Sequence, residues 1–251
     1  MKKSPRASWL RFAALVAVAL VALQLYFALR IALMAVVDPT STSFQRSEIW
    51  RLLSEQHTLG WSQRWVDDAR ISPHLKRAVI ASEDSSFAEH NGVDWDALEK
   101  AWERNQKAQT RAEMINARFE AKTPRKVEPK VIGGSTITQQ LAKNLFLSSE
   151  RSLPRKAQEF ILTFMLEAML DKRRILEIYL NSVEWGEGIF GAEAAAQHYF
   201  HTSAARLTPM AAARLAVMLP APKRFEKRPD SPYLLSRAAT VSARMSAVEL
   251  P

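Results

Sequence analysis

The sequence predicts a mainly α-helical fold, with one helical domain placed behind an N-terminal transmembrane helix. Three observations carry this reading. A basic start is followed by Phe12–Leu29, an apolar run of 18 residues without a charge. From Asp67 onward apolar residues recur at helical spacing, and no segment shows the sustained period-two alternation of half-buried strands. Of 251 residues, 47% are apolar and 24% charged, the balance of a folded chain rather than a disordered one. Cysteine is absent, which excludes disulfide scaffolds, zinc–thiolate sites, iron–sulfur clusters and cysteine nucleophiles.

The elements follow in chain order. Residues 1–11 carry Lys2, Lys3, Arg6 and Arg11 and no acid, and read as a cytoplasmic tail. Phe12–Leu29 spans about 27 Å as a helix, close to the thickness of a hydrocarbon core. Ile31–Val37 is apolar again, so the anchor is placed at 12–37 with Arg30 reaching toward the far interface. A cleaved signal peptide is the competing reading, but its apolar core is normally about 7–15 residues. With the N-terminus in the cytoplasm, everything after Asp38-Pro39 lies outside, on the periplasmic side. Residues 38–66 read as a stalk and lead-in, and 67–251 as the domain.

Within the domain, Leu75, Val79, Ile80 and Phe87 recur at helical spacing, and His90-Asn91-Gly92 reads as a helix stop. Asp94 has the place of an N-cap for a helix starting at Trp95. Residues 103–130 hold eight basic and four acidic residues, a local +4 within a total of +9. That segment is either a solvated helix and loop or a mobile flap beside a membrane-facing cleft. From Arg155 a single long apolar helix is expected through Asn181, with Glu159 and Glu167 partly buried in it.

Three segments hold candidate chemistry. Glu83, Phe87 and His90 fall at i, i+4 and i+7, which on one helix would align an acid, an aromatic and an imidazole. The plain alternative is a helix-end acid, a packed Phe and a capping His. Gly133-Gly134-Ser135-Thr136 precedes a helix in which Thr136 and Gln139 form a capping box. Free amides at such a start suit a phosphate, although most such starts are helix caps and nothing more. Gln140, Lys143 and Asn144 follow one turn later, with Lys143 on the face of Thr136 and Gln140. Arg155 and Glu159 are an i, i+4 ion pair whose acid must be paired or used if buried. His198 and His201 lack a third ligand, so no protein metal site is read.

Together these segments resemble the peptidoglycan glycosyltransferase family, glycosyltransferase family 51, which includes the transglycosylase domains of class A penicillin-binding proteins. The matching motifs run in family order: EDSSFAEHNG at 83–92, GGSTITQQLAKNLFL at 133–147, RKAQE at 155–159, KRRILEIYLN at 172–181 and GIFGAEAAAQHYF at 188–200. LTPMAAARLAVMLPAP at 207–222 is similar to the closing helix. Ala211 departs from the acid the family often has there, and the stretch between the first two motifs is longer than usual. With one anchor and no transpeptidase segment up to Pro251, the chain resembles the monofunctional branch.

The resemblance implies a lysozyme-like, two-lobed helical fold and a polymerase of lipid II. The donor is the growing glycan on undecaprenyl diphosphate, the acceptor is lipid II, and the transfer forms a β-1,4 link with inversion. It implies Glu83 as the base and Glu159 as the second essential acid. Lys143 and Arg155 would meet the diphosphate, with Ser135, Thr136 and Gln140 assisting. Asp84, Phe87, His90, Asn144, Lys172 and Asn181 would support them. No cofactor is required by this reading, and a divalent cation would arrive only with the substrate's diphosphate. The expected partners are lipid II, the growing chain, membrane lipids and cell-wall synthesis proteins. A lytic enzyme would need no diphosphate cradle, a non-enzymatic scaffold would tolerate loss of Glu83 or Glu159, and nucleic acid is excluded because the basic segments lack interleaved aromatics.

Overall fold

The structure, a computed structural model, describes residues 5–57, 60–119, 127–129, 133–148, 150 and 152–251. Helix α1 (Pro5–Leu33) contains the stretch Trp9–Leu33, long and apolar enough to cross a membrane. It is followed by α2 (Ser43–Arg51), α3 (Pro73–Glu83), α4 (Trp95–Phe119), α5 (Ile137–Phe146), α6 (Leu153–Met169) and α7 (Lys172–Ser182). The chain closes with α8 (Ala192–Phe200), α9 (Pro209–Met218), the short α10 (Pro222–Phe225) and α11 (Pro232–Arg244). Among the described residues the strands are β1 (Ser62–Gln63), β2 (Glu184–Gly186) and β3 (Ile189–Phe190). The mainly helical class is the expected one.

Side chains set most helix starts. Thr42 and Gln45 close a capping box on α2, Asp94 Oδ1 accepts from Ala97 N at 2.7 Å to start α4, and Ser152 caps α6. The expected single helix from Arg155 to Asn181 is in fact two. Leu170 leaves helical geometry, and Asp171 Oδ1 then accepts from Arg174 N at 2.7 Å to restart the chain as α7. An aspartate competes for nearby amides more effectively than the helix interior holds it, so it breaks an otherwise continuous apolar pattern.

The core lies between α3, α9 and α11 on one side and α5, α6 and α7 on the other. Leu75, Val79, Leu141, Leu162, Ile178 and Leu215 are fully buried in it. The 38–66 stretch, read above as a stalk, carries structure of its own. α2 packs on α5, and β1 pairs in parallel with β3 (Ser62 with Ile189, Gln63 with Phe190), while β2 runs antiparallel to β3. Gly188 makes this joint possible. It sits at φ +71°, and a Cβ there would meet the Gly60 carbonyl oxygen at 1.9 Å. Charges tie the same corner together. Glu48 accepts from Arg51 at 2.7 Å and from Lys223 at 2.6 Å, and Lys223 also lies 3.3 Å from Glu184. Burial pushes the Glu184 carboxyl up to about 7, against the pull of Lys223.

Asn181 fastens residue 66 to α7. Its Oδ1 accepts from Val66 N and its Nδ2 donates to Val66 O and Glu177 O, each at 2.9 Å. The side chain is fully buried, so losing it strands two backbone groups. Asn181→Ala is therefore expected to cost about 2–3 kcal/mol, read as a lower denaturant midpoint with unchanged slope in detergent-solubilised protein.

Candidate active site

Glu83 is the last residue of α3, and the chain leaves the helix at Asp84. The alignment of Glu83, Phe87 and His90 on one helical face is therefore not realised. Asp84 is the cause. Its Oδ2 accepts from Ile137 N at 2.9 Å, capping α5 from a distance, and its Oδ1 meets His90 Nε2 at 2.8 Å. Gly92 N donates to His90 Nδ1 at 3.1 Å, so the proton of the neutral ring sits on Nε2 and points at Asp84. Asp84 and His90 thus brace the turn behind Glu83. Phe87 is fully buried beneath it, with Lys172 Nζ 4.6 Å from its ring centre and 2.8 Å from Glu167. Gly92 stands at φ +89° where a Cβ would strike Thr163 and Glu167, so glycine is sterically required there, but in the turn that follows Asp84. The helix stop expected at His90-Asn91-Gly92 is not realised, because α3 has already ended at Glu83.

The capping box of α5 forms as expected: Gln139 N donates to Thr136 Oγ1 at 3.2 Å and Thr136 N to Gln139 Oε1 at 3.0 Å. Thr136 Oγ1 also donates to Gly92 O at 2.6 Å, and the residue is buried. With Ile137 N already given to Asp84, the helix start is not the row of free amides the sequence suggested. Gly134 is a packing residue, since a Cβ there would lie 3.0 Å from the Ala101 Cβ on α4. Gly133 and Ser135, by contrast, line open space.

Glu83 opens into a cleft of about 780 Å³ walled by α3, α4 and the 133–136 loop, with Lys100, Arg104 and Arg244 among its lining cations. Burial is the main influence on its carboxyl and raises the pKa; hydrogen bonds from Gln140 and Ser82 oppose this, and the nearby Asp84 charge adds to it. Gln140 Nε2 donates to Glu83 Oε2 at 3.1 Å, while Gln140 Oε1 accepts from the buried Tyr179 hydroxyl at 2.9 Å. Tyr179, deep in the core and pushed far above its usual range by burial, stays a phenol and a donor. That bond fixes which end of the Gln140 amide faces the carboxylate.

A second cavity of about 250 Å³ is lined by Ser135, Gln140, Lys143, Arg155, Lys156 and Glu159, among others. Glu159 is buried at 3% exposure and takes Arg155 Nη1 at 2.8 Å on one oxygen and Lys156 Nζ on the other. Arg155 and Lys156 against Glu159 leave one positive charge over, and Lys143 also lines the cavity, a setting suited to an anion. Arg155 Nε is buried with no acceptor among the described residues. Ser135 lines both cavities, and Gln140, which lines the second, reaches Glu83 with its amide, so the two lie on either side of one shared wall. Asn144 lies half-buried one turn along α5, and Asn181 is the structural clasp described above. Lys122, Arg125, Lys126 and Lys130 of the basic segment fall outside the described residues. Before them α4 continues to Phe119, and Asn116 holds Val127 by both backbone groups. Sequence reasoning passed over Tyr179 and Lys156. Lys156 was visible in principle at i, i+3 from Glu159, whereas Tyr179 carried no signal that separates it from core.

The raised pKa makes Glu83 a cost to the fold. Between the ordinary glutamate range and its raised native value, the folded state holds more protons than the unfolded one, so stability falls as pH rises through that window. Glu83→Gln is therefore expected to stabilise the protein at neutral pH and to confer no gain at pH 3–4. Denaturant midpoints for the two proteins, measured across pH, check this.

Comparison with known proteins places these motifs in a lineage. The family model described as Transglycosylase matches residues 53–246. A Biosynthetic peptidoglycan transglycosylase of Paraburkholderia xenovorans (strain LB400) is 50% identical over 239 residues, covering 95% of this chain and 91% of the relative. The protein of that name from Burkholderia thailandensis is 50% identical over 251 residues, 100% of this chain and 91% of the relative. That from Burkholderia orbicola (strain MC0-3) is 51% identical over 230 residues, 92% and 86% of the two chains. With a family model across most of its length and half its residues shared with such relatives, the chain belongs to the transglycosylase family.

Proposed function

We propose that the protein is a membrane-anchored peptidoglycan glycosyltransferase that polymerises lipid II into β-1,4 glycan strands with inversion, releasing undecaprenyl diphosphate. The observation that carries this reading is the Gln140 bridge, which links a desolvated carboxylate to a cavity with surplus positive charge. Glu83 takes the proton of the acceptor's 4-hydroxyl as that oxygen attacks the donor's anomeric carbon. The bond from that carbon to the diphosphate oxygen breaks, and its electrons go to the diphosphate. Lys143, Arg155 and Lys156 meet the charge that develops there. Glu159 is spent on holding Arg155 and Lys156 in place, and a diphosphate leaves without needing a proton from it. Ser135 contributes from the shared wall, whereas Thr136 acts by fixing the start of α5.

In this reading α1 anchors the enzyme with residues 1–11 in the cytoplasm and 67–251 as the glycosyltransferase domain on the periplasmic side. The substrates are lipid II and the growing diphospho-undecaprenyl chain, and any cell-wall synthesis partner would meet the domain there. No group on the protein is called on for a metal, and a divalent cation would ride on the diphosphate.

Labelled lipid II incubated with the detergent-solubilised protein should yield long glycan chains on a sizing gel. Glu83→Gln is expected to lower the rate by about 10²–10⁴-fold while remaining folded. Lys143→Ala and Arg155→Ala are expected to fail through the leaving group, with poor turnover at saturating substrate. Preformed glycan shortened by the wild type, or no reaction at all, would replace this reading with a lytic or a scaffolding one.

A further inference from the structure

The outer half of α1 does not stand free of the domain. From Trp9 to Leu23 its side chains are exposed, but Gln24, Phe27, Ala28, Ile31 and Met34 turn partly or fully inward at a spacing of three and four. Phe27 meets Phe146 at the end of α5 with ring centres 5.3 Å apart, and Arg174 of α7 donates to Met34 O at 2.8 Å. At the inner end of this stripe is a polar contact. Gln24 Nε2 donates to Gln158 Oε1 at 2.9 Å, and Gln158 Nε2 donates to Gln24 Oε1 at 3.0 Å. Gln158 is the residue before Glu159, on the helix that also carries Arg155 and Lys156.

Length fixes where this contact lies. The undocked stretch Trp9–Leu23 covers about 22 Å at helical rise, against a hydrocarbon core of about 30 Å. A bilayer around it takes in roughly five residues of the docked stripe as well. That puts Gln24 and its partner inside the outer leaflet. On α6, Ile161 and Phe164 follow Gln158 at i+3 and i+6 and are 44% and 47% exposed, a surface suited to acyl chains.

Between apolar helix faces in lipid, sliding by a fraction of a turn changes little, because the tails are as apolar as the side chains. A reciprocal amide pair has a single register, and any slip leaves two amides unsatisfied in hydrocarbon. We propose that the Gln24–Gln158 amide pair is a positioning device that fixes the depth of the Arg155–Glu159 helix in the bilayer, and with it the height of the cationic cavity relative to a membrane-bound diphosphate. Neither glutamine touches the reacting atoms; both act through the placement of Arg155 and Glu159. The inference rests on the membrane-anchored transferase reading, but its main test does not depend on turnover.

Because the chain has no cysteine, Ile161→Cys provides a lone site for an environment-sensitive fluorophore. The full chain is reconstituted into phosphatidylcholine–phosphatidylglycerol vesicles carrying a quencher at the headgroup or at set positions along the acyl chain. With Gln24 present, quenching is expected to peak at one acyl-chain depth. In the Gln24→Leu background it should move toward the headgroup or broaden, and Gln158→Leu and the double variant should give that same altered profile. The second arm is kinetic and uses vesicles of increasing acyl-chain length containing lipid II. Gln24→Leu should raise the apparent KM several-fold and flatten the dependence on thickness, with kcat unchanged and turnover in detergent micelles equal to wild type. An unaltered depth profile in Gln24→Leu overturns the proposal, as does an equal loss of activity in micelles and vesicles. If no variant polymerises lipid II yet the depth profile moves, the positioning device stands and the transferase reading falls.

Discussion

In the mechanism proposed above, Glu83 must be ionised to act although it is partly buried in the cleft wall, so it needs donors that the fold itself supplies, and the Gln140 amide is its chief donor. The amide does not choose its orientation freely. The Tyr179 hydroxyl, deep in the core on α7, takes the carbonyl end and turns the amino end toward Glu83. Three helices, α3, α5 and α7, must therefore be in register for one hydrogen bond at the site. The packing around Leu141, Ile178 and Val79, with Asp84 capping α5 across the turn, is what keeps them there.

The same arrangement separates two electrostatic tasks. On one side, burial and the neighbouring Asp84 raise the proton affinity of Glu83, as the base role proposed above requires. On the other, Glu159 gathers two cations and leaves net positive charge in a cavity that already includes Lys143. If the two sets were in direct contact, Glu83 would be neutralised by an ion pair and its pKa would fall. A neutral amide between them joins the walls of the cleft without transmitting that penalty. The cost is carried by stability, since a desolvated carboxylate opposes folding at neutral pH. Such a cost is what a functional site is expected to impose.

Much of this was legible in the sequence, and for physical reasons. Local rules found the apolar span, the capping box at Thr136 and the N-cap at Asp94, because each depends on residues close together in the chain; the helix stop expected at Gly92 was misplaced, since α3 already ends at Glu83. The Arg155–Glu159 pair was readable from helical spacing alone. What escaped depended on distant contacts. The spacing aligned Glu83, Phe87 and His90 on one helix, but the Asp84 carboxylate is drawn to Ile137 N, 53 positions along the chain, and the helix ends there. The helix start at Thr136 looked open because nothing local showed that Asp84 would occupy it. Asp171 was a missed local signal, hidden within a strongly apolar pattern. Tyr179 and Gln158 became meaningful only once Gln140 and Gln24 were beside them.

The central claim, that Gln140 holds the Glu83 carboxylate ready while bridging to the cationic cavity, is tested most directly by the pH dependence of kcat/KM for lipid II polymerisation. The wild type should show an acid limb above the ordinary glutamate range, because burial raises that carboxyl. Gln140→Leu removes the donor that favours the ionised form, so the limb should move to still higher pH while the alkaline side stays in place. An acid limb unchanged between the two proteins, or one lying at the value of a free glutamate, would contradict the account.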